Sequence, residues 1–296
     1  MSIQEVINNF WRHHITTSNT EFLKALAASA TEMPATFAER AFYAAAEQRA
    51  ALVPATKIPK LNTNSLAFEP VMLKSALFRA GTGARESFLE YKNIKTHGAH
   101  RVEYKGEELR QDDLRVLLML LKLNAGQQLG EAKDFQEIGA RAFCREMGKG
   151  WSDSGVSVAK LRGCIARLQD ARVRVHYSGG GLGMYSFISD AETVGERWRV
   201  WLSVRLCEMF KRSVTYLPQA DRLALPDGLA SWLLGFIKAD ACYVGFKLCE
   251  LRELAGYTSY VQKDFNRTIR AALDVLKFSG LIDDYSIEDK KLTIRK

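Results

Sequence analysis

The sequence has no pair of cysteines two residues apart. Its five cysteines, Cys144, Cys164, Cys207, Cys242 and Cys249, are odd in number, so neither a zinc ribbon nor a disulfide framework is indicated. They lie in apolar helical patterns, the setting of reduced, buried thiols in a cytosolic protein. No charged start followed by an apolar run marks a secretory signal. The most apolar window, Leu229 to Ile237, is far too short to span a bilayer. The Gly81-Thr82-Gly83 turn lacks the Gly-Lys-Ser/Thr of a phosphate loop, which removes an ATPase site. His13-His14 and His97 with His100 lack the His-apolar-His spacing of a nicking enzyme's metal site. Ser178 to Gly183 is rich in glycine but links two extended runs instead of opening a helix, so it is a hairpin tip and not a dinucleotide fingerprint. No catalytic residue, metal ligand or cofactor is expected, and the chain is not expected to be an enzyme.

What is present is length, apolar content and positive charge. The 296 residues suffice for two domains with separate cores. A hydrophobic content of 47% with 26% charged residues is that of a globular protein, and the net charge of +8 favours a polyanionic partner. Residues 1–65 are predicted to be a helical N-terminal extension and linker, with helices over Ile3 to His14 and Glu21 to Leu52, broken near Pro34.

The stretch from Ser259 to Leu281 carries the strongest signal. Phe265, Ile269, Ala272, Leu273 and Leu276 recur at the spacing of one buried helical stripe. Gln262, Lys263, Asn266, Arg267, Arg270 and Lys277 project from the other face, cations beside amides that can reach base edges. Upstream, Phe246 to Ala255 is predicted to be a helix and Gly256-Tyr257-Thr258 a turn. Downstream come a turn at Asp283-Asp284 and a strand, Lys291 to Ile294. Helix, turn, helix and hairpin make a winged helix. The same order is predicted earlier: a helix over Phe135 to Met147, a turn, a helix over Ser157 to Gln169, then a hairpin of Arg172 to Tyr177 and Tyr185 to Ser189. A strand over Trp198 to Leu206 and helices near Cys207 to Arg212 and from Pro226 to Ile237 precede the second unit. The expected fold is α+β, two tandem winged-helix domains at 66–195 and 196–296.

Ser75 to Phe78, Val102 to Arg110, Asp112 to Val116, Leu161 to Leu168 and Ser279-Gly280-Leu281 together resemble the signature of the TrfA-type plasmid replication initiators. The likeness runs from Leu66 to the C-terminus. The chain departs from it at Arg115 and Leu117, where that family has an acidic residue and a tryptophan. The resemblance implies an iteron-binding initiator in the bacterial cytoplasm that binds direct repeats in duplex DNA and opens AT-rich, single-stranded DNA. It also implies recruitment of the host initiator, helicase and sliding clamp, and a monomer–dimer equilibrium. Asn64 to Phe68 loosely resembles a clamp-binding peptide without its leading glutamine; packing of Leu66 and Phe68 on the first domain is the simpler account. Only that resemblance separates an initiator from a double-winged transcriptional regulator, and the basic rows argue against a protein-docking module without DNA readout.

On this reading Gln262, Lys263, Asn266, Arg267 and Arg270 read bases. Lys160, Arg167, Arg172, Arg174, Lys277, Lys290 and Lys291 hold phosphates without reading sequence.

Overall fold

The structure, a computed structural model, describes residues 57–295 apart from 132, 196, 211, 212, 241–244, 259 and 260. The helices predicted between Ile3 and Leu52 lie outside them. The chain enters through β1 (Ser65–Phe68), α1 (Pro70–Leu73) and β2 (Phe78–Arg79), then β3 (Ser87–Ile94), β4 (Arg101–Glu107) and β5 (Leu109–Arg110). A central helix, α2 (Gln111–Leu123), is followed by β6 (Gln136–Gly139), α3 (Ala140–Glu146) and α4 (Gly155–Asp170). Four strands come next: β7 (Arg172–His176), β8 (Leu182–Tyr185), β9 (Ile188–Val194) and β10 (Arg197–Leu202). The remainder holds α5 (Leu206–Met209), β11 (Thr215–Pro218), α6 (Gln219–Ala224), α7 (Leu229–Ala239), β12 (Phe246–Lys247), α8 (Leu248–Leu254), α9 (Gln262–Phe278), β13 (Asp284–Glu288) and β14 (Lys291–Arg295).

The fold is α+β with two tandem winged helices of identical strand order. In the first, the sheet runs β6-β10-β9; in the second, β12-β14-β13. Each time, the strand before the helix-turn-helix pairs antiparallel with the second strand of the hairpin that follows it. The helices repeat at a fixed offset of 108 residues: Ser157, Leu161, Cys164, Ile165 and Leu168 are buried in α4 where Phe265, Ile269, Ala272, Leu273 and Leu276 are buried in α9. The turns obey the same offset. Gly148 and Gly256 follow α3 and α8 with φ of 77° and 75°, the left-handed conformation that ends a helix and suits glycine. A Cβ at Gly148 would collide with the Leu223 carbonyl.

Three expectations are corrected. Residues 135–147 are not one helix, because Gln136–Gly139 is drawn into the first wing's sheet. The first wing is not the glycine-rich hairpin but β9–β10, whose paired strands span the expected 195/196 boundary. The β7–β8 hairpin leaves the winged helix and completes a sheet of order β3-β4-β7-β8, with Glu103 opposite Arg174 and Val173 opposite Tyr185. In the second wing the turn is Asp289-Lys290, with φ of 47° and 60°, the double left-handed geometry of a two-residue hairpin. Asp283-Asp284 leads into β13 instead.

α2 is apolar nearly all round, with Leu114, Val116, Leu117, Leu118, Leu120 and Leu121 buried; such a helix belongs inside. Leu66 and Phe68 are fully buried in β1, which pairs with β11, so the segment likened to a clamp peptide is a core strand. The winged helices are joined by buried polar contacts. Arg115 and Arg222 are both inaccessible to solvent. Arg115 donates through Nε to Asp227 at 2.6 Å and to the carbonyls of Met147 and Leu225, while Arg222 donates to Ser231 Oγ at 2.9 Å and to the Gln111 carbonyl. The Ala80 N–H donates to the Ala255 carbonyl at 2.9 Å, and the Tyr257 hydroxyl to that of Ala80. The described residues form one compact unit.

Candidate nucleic-acid interface

In the second winged helix, the stripe that buries Phe265 and Ile269 turns Lys263, Arg267, Arg270 and Lys277 to solvent, with Gln262 and Asn266 half-buried at the flank. Gln262 Nε2 donates to Asn266 Oδ1 at 2.8 Å, pre-aligning two amides one turn apart. Arg267 meets Asp264 at 3.5 Å, but both are widely exposed. Such a pair is worth little and leaves the guanidinium available. At the other end of α9 the wing is tied on: Tyr285 donates to Asp274 at 2.7 Å, and Lys277 to Asp284 at 2.8 Å. The bond to Asp284 raises the Lys277 pKa, and the bond to Asp274 raises that of Tyr285. Lys290 and Lys291 stand exposed at the wing tip. An exposed basic helix with paired amides, flanked by a basic wing, thus comes from one continuous segment.

The phosphate-holding set expected in the first winged helix does not assemble. Lys160 lies 2.8 Å from Asp227 and 4.2 Å over the Trp151 ring. Arg167 Nε donates to fully buried Asp113 at 2.9 Å. Arg174 stacks on Tyr91 at 3.6 Å in the four-stranded sheet, with Glu103 at 3.8 Å. Arg172 is exposed but donates to the carbonyls of Gln169 and Ala171 at the end of α4. Lys160 and Arg167 sit at positions that look solvent-facing on α4 alone; carboxylates from other elements cover them.

A different basic set takes their place. A groove of about 510 Å³ runs between α3, α4 and the first wing, and four arginines, Arg141, Arg145, Arg162 and Arg197, line it with Val158 and Trp198. Arg141 donates to the Asp153 carbonyl at 2.8 Å, and Arg145 pairs with the exposed Asp153 carboxylate at 3.3 Å. Arg197 pairs with Glu137 across the wing, and Arg162 lies 6.0 Å from the Trp198 ring. The signal for this set was Arg162 standing 108 residues before Arg270, together with arginines at i and i+4 in α3; it becomes visible only when the two helix-turn-helix units are placed in register.

Asp112, Asp113 and Cys164 bring three ligand atoms within 4.8 Å of one another, yet the cluster does not fit a metal. Arg85 donates to Asp113 at 2.7 Å and to Asp112 at 2.9 Å, and Arg167 to the second Asp113 oxygen. Burial, and then Asp112, push Asp113 up to about 6, and burial holds the Cys164 thiol well above its usual range. Guanidinium groups already supply the positive charge there.

Fold and surface together define a tandem winged-helix protein with two basic helix-turn-helix faces. Two solved structures of RctB domains 2 and 3 are similar to it. One, of selenomethionine derivatives, is 14% identical with a TM-score of 0.47, covering 70% of this chain and 86% of that one. The other is 15% identical with a TM-score of 0.47, covering 67% and 81%. No protein-family model matches the sequence, and no curated protein matches it. No helix among the described residues is long and apolar enough to cross a membrane.

Proposed function

We propose that this protein is a sequence-specific duplex-DNA-binding protein that initiates plasmid replication at repeated origin sites and acts by binding, not catalysis. The observation that carries the DNA reading is α9, whose Lys263, Arg267 and Arg270 face solvent, with half-buried Asn266 at their flank, beside a wing tipped by Lys290 and Lys291. A recognition helix enters the major groove by its N-terminal turns, where lysine and arginine suit guanine and amides suit adenine. Wing lysines and Arg141, Arg145 and Arg197 of the first groove then hold the backbone. Two winged helices in one compact unit suit a monomer on an asymmetric site spanning about two helical turns, and direct repeats offer such sites.

Initiation itself rests on the resemblance to TrfA-type initiators, as do contacts to single-stranded AT-rich DNA, the host initiator, helicase and sliding clamp. Footprinting of the full chain across its own replicon tests the reading. Protection of several direct repeats beside an AT-rich tract supports it. A single palindrome at a promoter would make the protein a transcriptional regulator, and no protection anywhere would make it a docking protein.

A further inference from the structure

Placed in register, α4 and α9 bury the same positions and expose different chemistry. Where α9 shows Lys263, Asn266 and Arg267, α4 shows Gly155, Val158 and Ala159; only Arg162 matches a cation, Arg270. Val156 is 81% exposed in the first turn of α4, which a Ser154 cap holds in place by accepting from the Ser157 N–H. Its β-branched side chain stands out in water at the leading end of the second helix of the helix-turn-helix. The groove that α4 lines with Val158 and Arg162 carries four arginines, and Val156, Ala159 and Arg162 follow one another at three-residue steps along the helix.

We propose, resting on the DNA-binding reading, that the first winged helix reads bases as well as phosphates: Val156 and Ala159 pack on thymine methyl groups, Arg162 reads a guanine, and Arg141, Arg145 and Arg197 hold the flanking phosphates. The occupant is a thymine-containing half-site of duplex DNA, which the arginine lining complements in charge. The thymine methyl is the one apolar feature a base pair presents in the major groove, and short aliphatic side chains are its natural partners. The two helices therefore divide the site by chemistry, α9 through polar groups and α4 mainly through an apolar one.

The test begins with selection of bound sequences from a randomised duplex pool by the full chain. The recovered sequence is then remade with deoxyuridine in place of each thymine in turn, which deletes only the methyl. The half-site of α9 is located by the positions at which Arg270→Ala relaxes preference. At one or two thymines outside that half-site, uracil should weaken binding about fourfold, the equivalent of one buried methyl. Val156→Ala should abolish most of that sensitivity at the same positions, and Arg162→Ala should lower discrimination at a neighbouring guanine about tenfold. Val156 is too exposed for its truncation to unfold the domain. Enrichment of a sequence with no uracil effect outside the α9 half-site overturns the inference and leaves the DNA reading intact. Failure to enrich any sequence overturns both.

Discussion

Replacing Asp227 by alanine removes the only carboxylate that meets the Arg115 guanidinium among the described residues. Asp227 Oδ1 accepts from Arg115 Nε at 2.6 Å, and Oδ2 accepts from Lys160 Nζ at 2.8 Å and Trp151 Nε1 at 2.9 Å. Arg115 is fully buried, so without Asp227 its charge is compensated only by backbone carbonyls. Arg222 lies close by; burial and Arg115 already push its pKa down to about 9. Breaking a buried pair by deleting one partner costs about 3–5 kcal/mol, whereas replacing both partners by apolar side chains is often near neutral. Asp227→Ala should therefore cost about 3–5 kcal/mol, roughly 6–20 °C in melting temperature for a unit of this size. Arg115→Met with Asp227→Leu should recover most of that loss. Urea unfolding followed by tryptophan fluorescence measures both. An Asp227→Ala variant within about 1 kcal/mol of wild type would refute the view that this pair rivets the two winged helices.

Arg267→Ala should lose about 1 kcal/mol or more of binding to the preferred duplex and relax preference at one base pair, leaving random duplex nearly unaffected; competition binding separates the two. Arg197→Ala should flatten the logarithmic salt dependence by about 0.9. Lys160→Ala should leave that slope unchanged and lower stability instead, because its ammonium serves Asp227. For Asp113 the folded pKa, about 6, lies above the ordinary 3.8. Between those values the folded chain keeps a proton the unfolded chain releases, so this group's contribution to stability falls as pH rises through the window. Asp113→Asn removes that slope; a wild-type minus variant difference that does not change with pH would contradict it.

The C-terminal basic helix was legible because its signal is local. The stripe from Phe265 to Leu276 and the cations opposite it are properties of one helix, and both stand in the structure as periodicity requires. The first wing was not legible for the opposite reason. A glycine-rich hairpin next to a helix-turn-helix has the local chemistry of a wing, and only the pairing of Arg174 with Glu103, from a strand far upstream, removes it to another sheet. Lys160 and Arg167 failed likewise: their helical phase is near the surface, but Asp227 and Asp113 arrive from elements distant in sequence. Arg115, noted as a departure from the TrfA-type pattern, proves to be the centre of the junction between the winged helices, a role its position in an apolar helix did not disclose.

The most direct measurement is a fluorescence-anisotropy titration of the full chain, at physiological salt, on its selected duplex with random duplex as competitor. The account predicts at least about a thousandfold preference for the selected sequence, abolished in large part by joint replacement of Arg267 and Arg270 by alanine. Equal affinity for both duplexes, or a preference that survives that replacement, would contradict the claim that α9 reads DNA sequence.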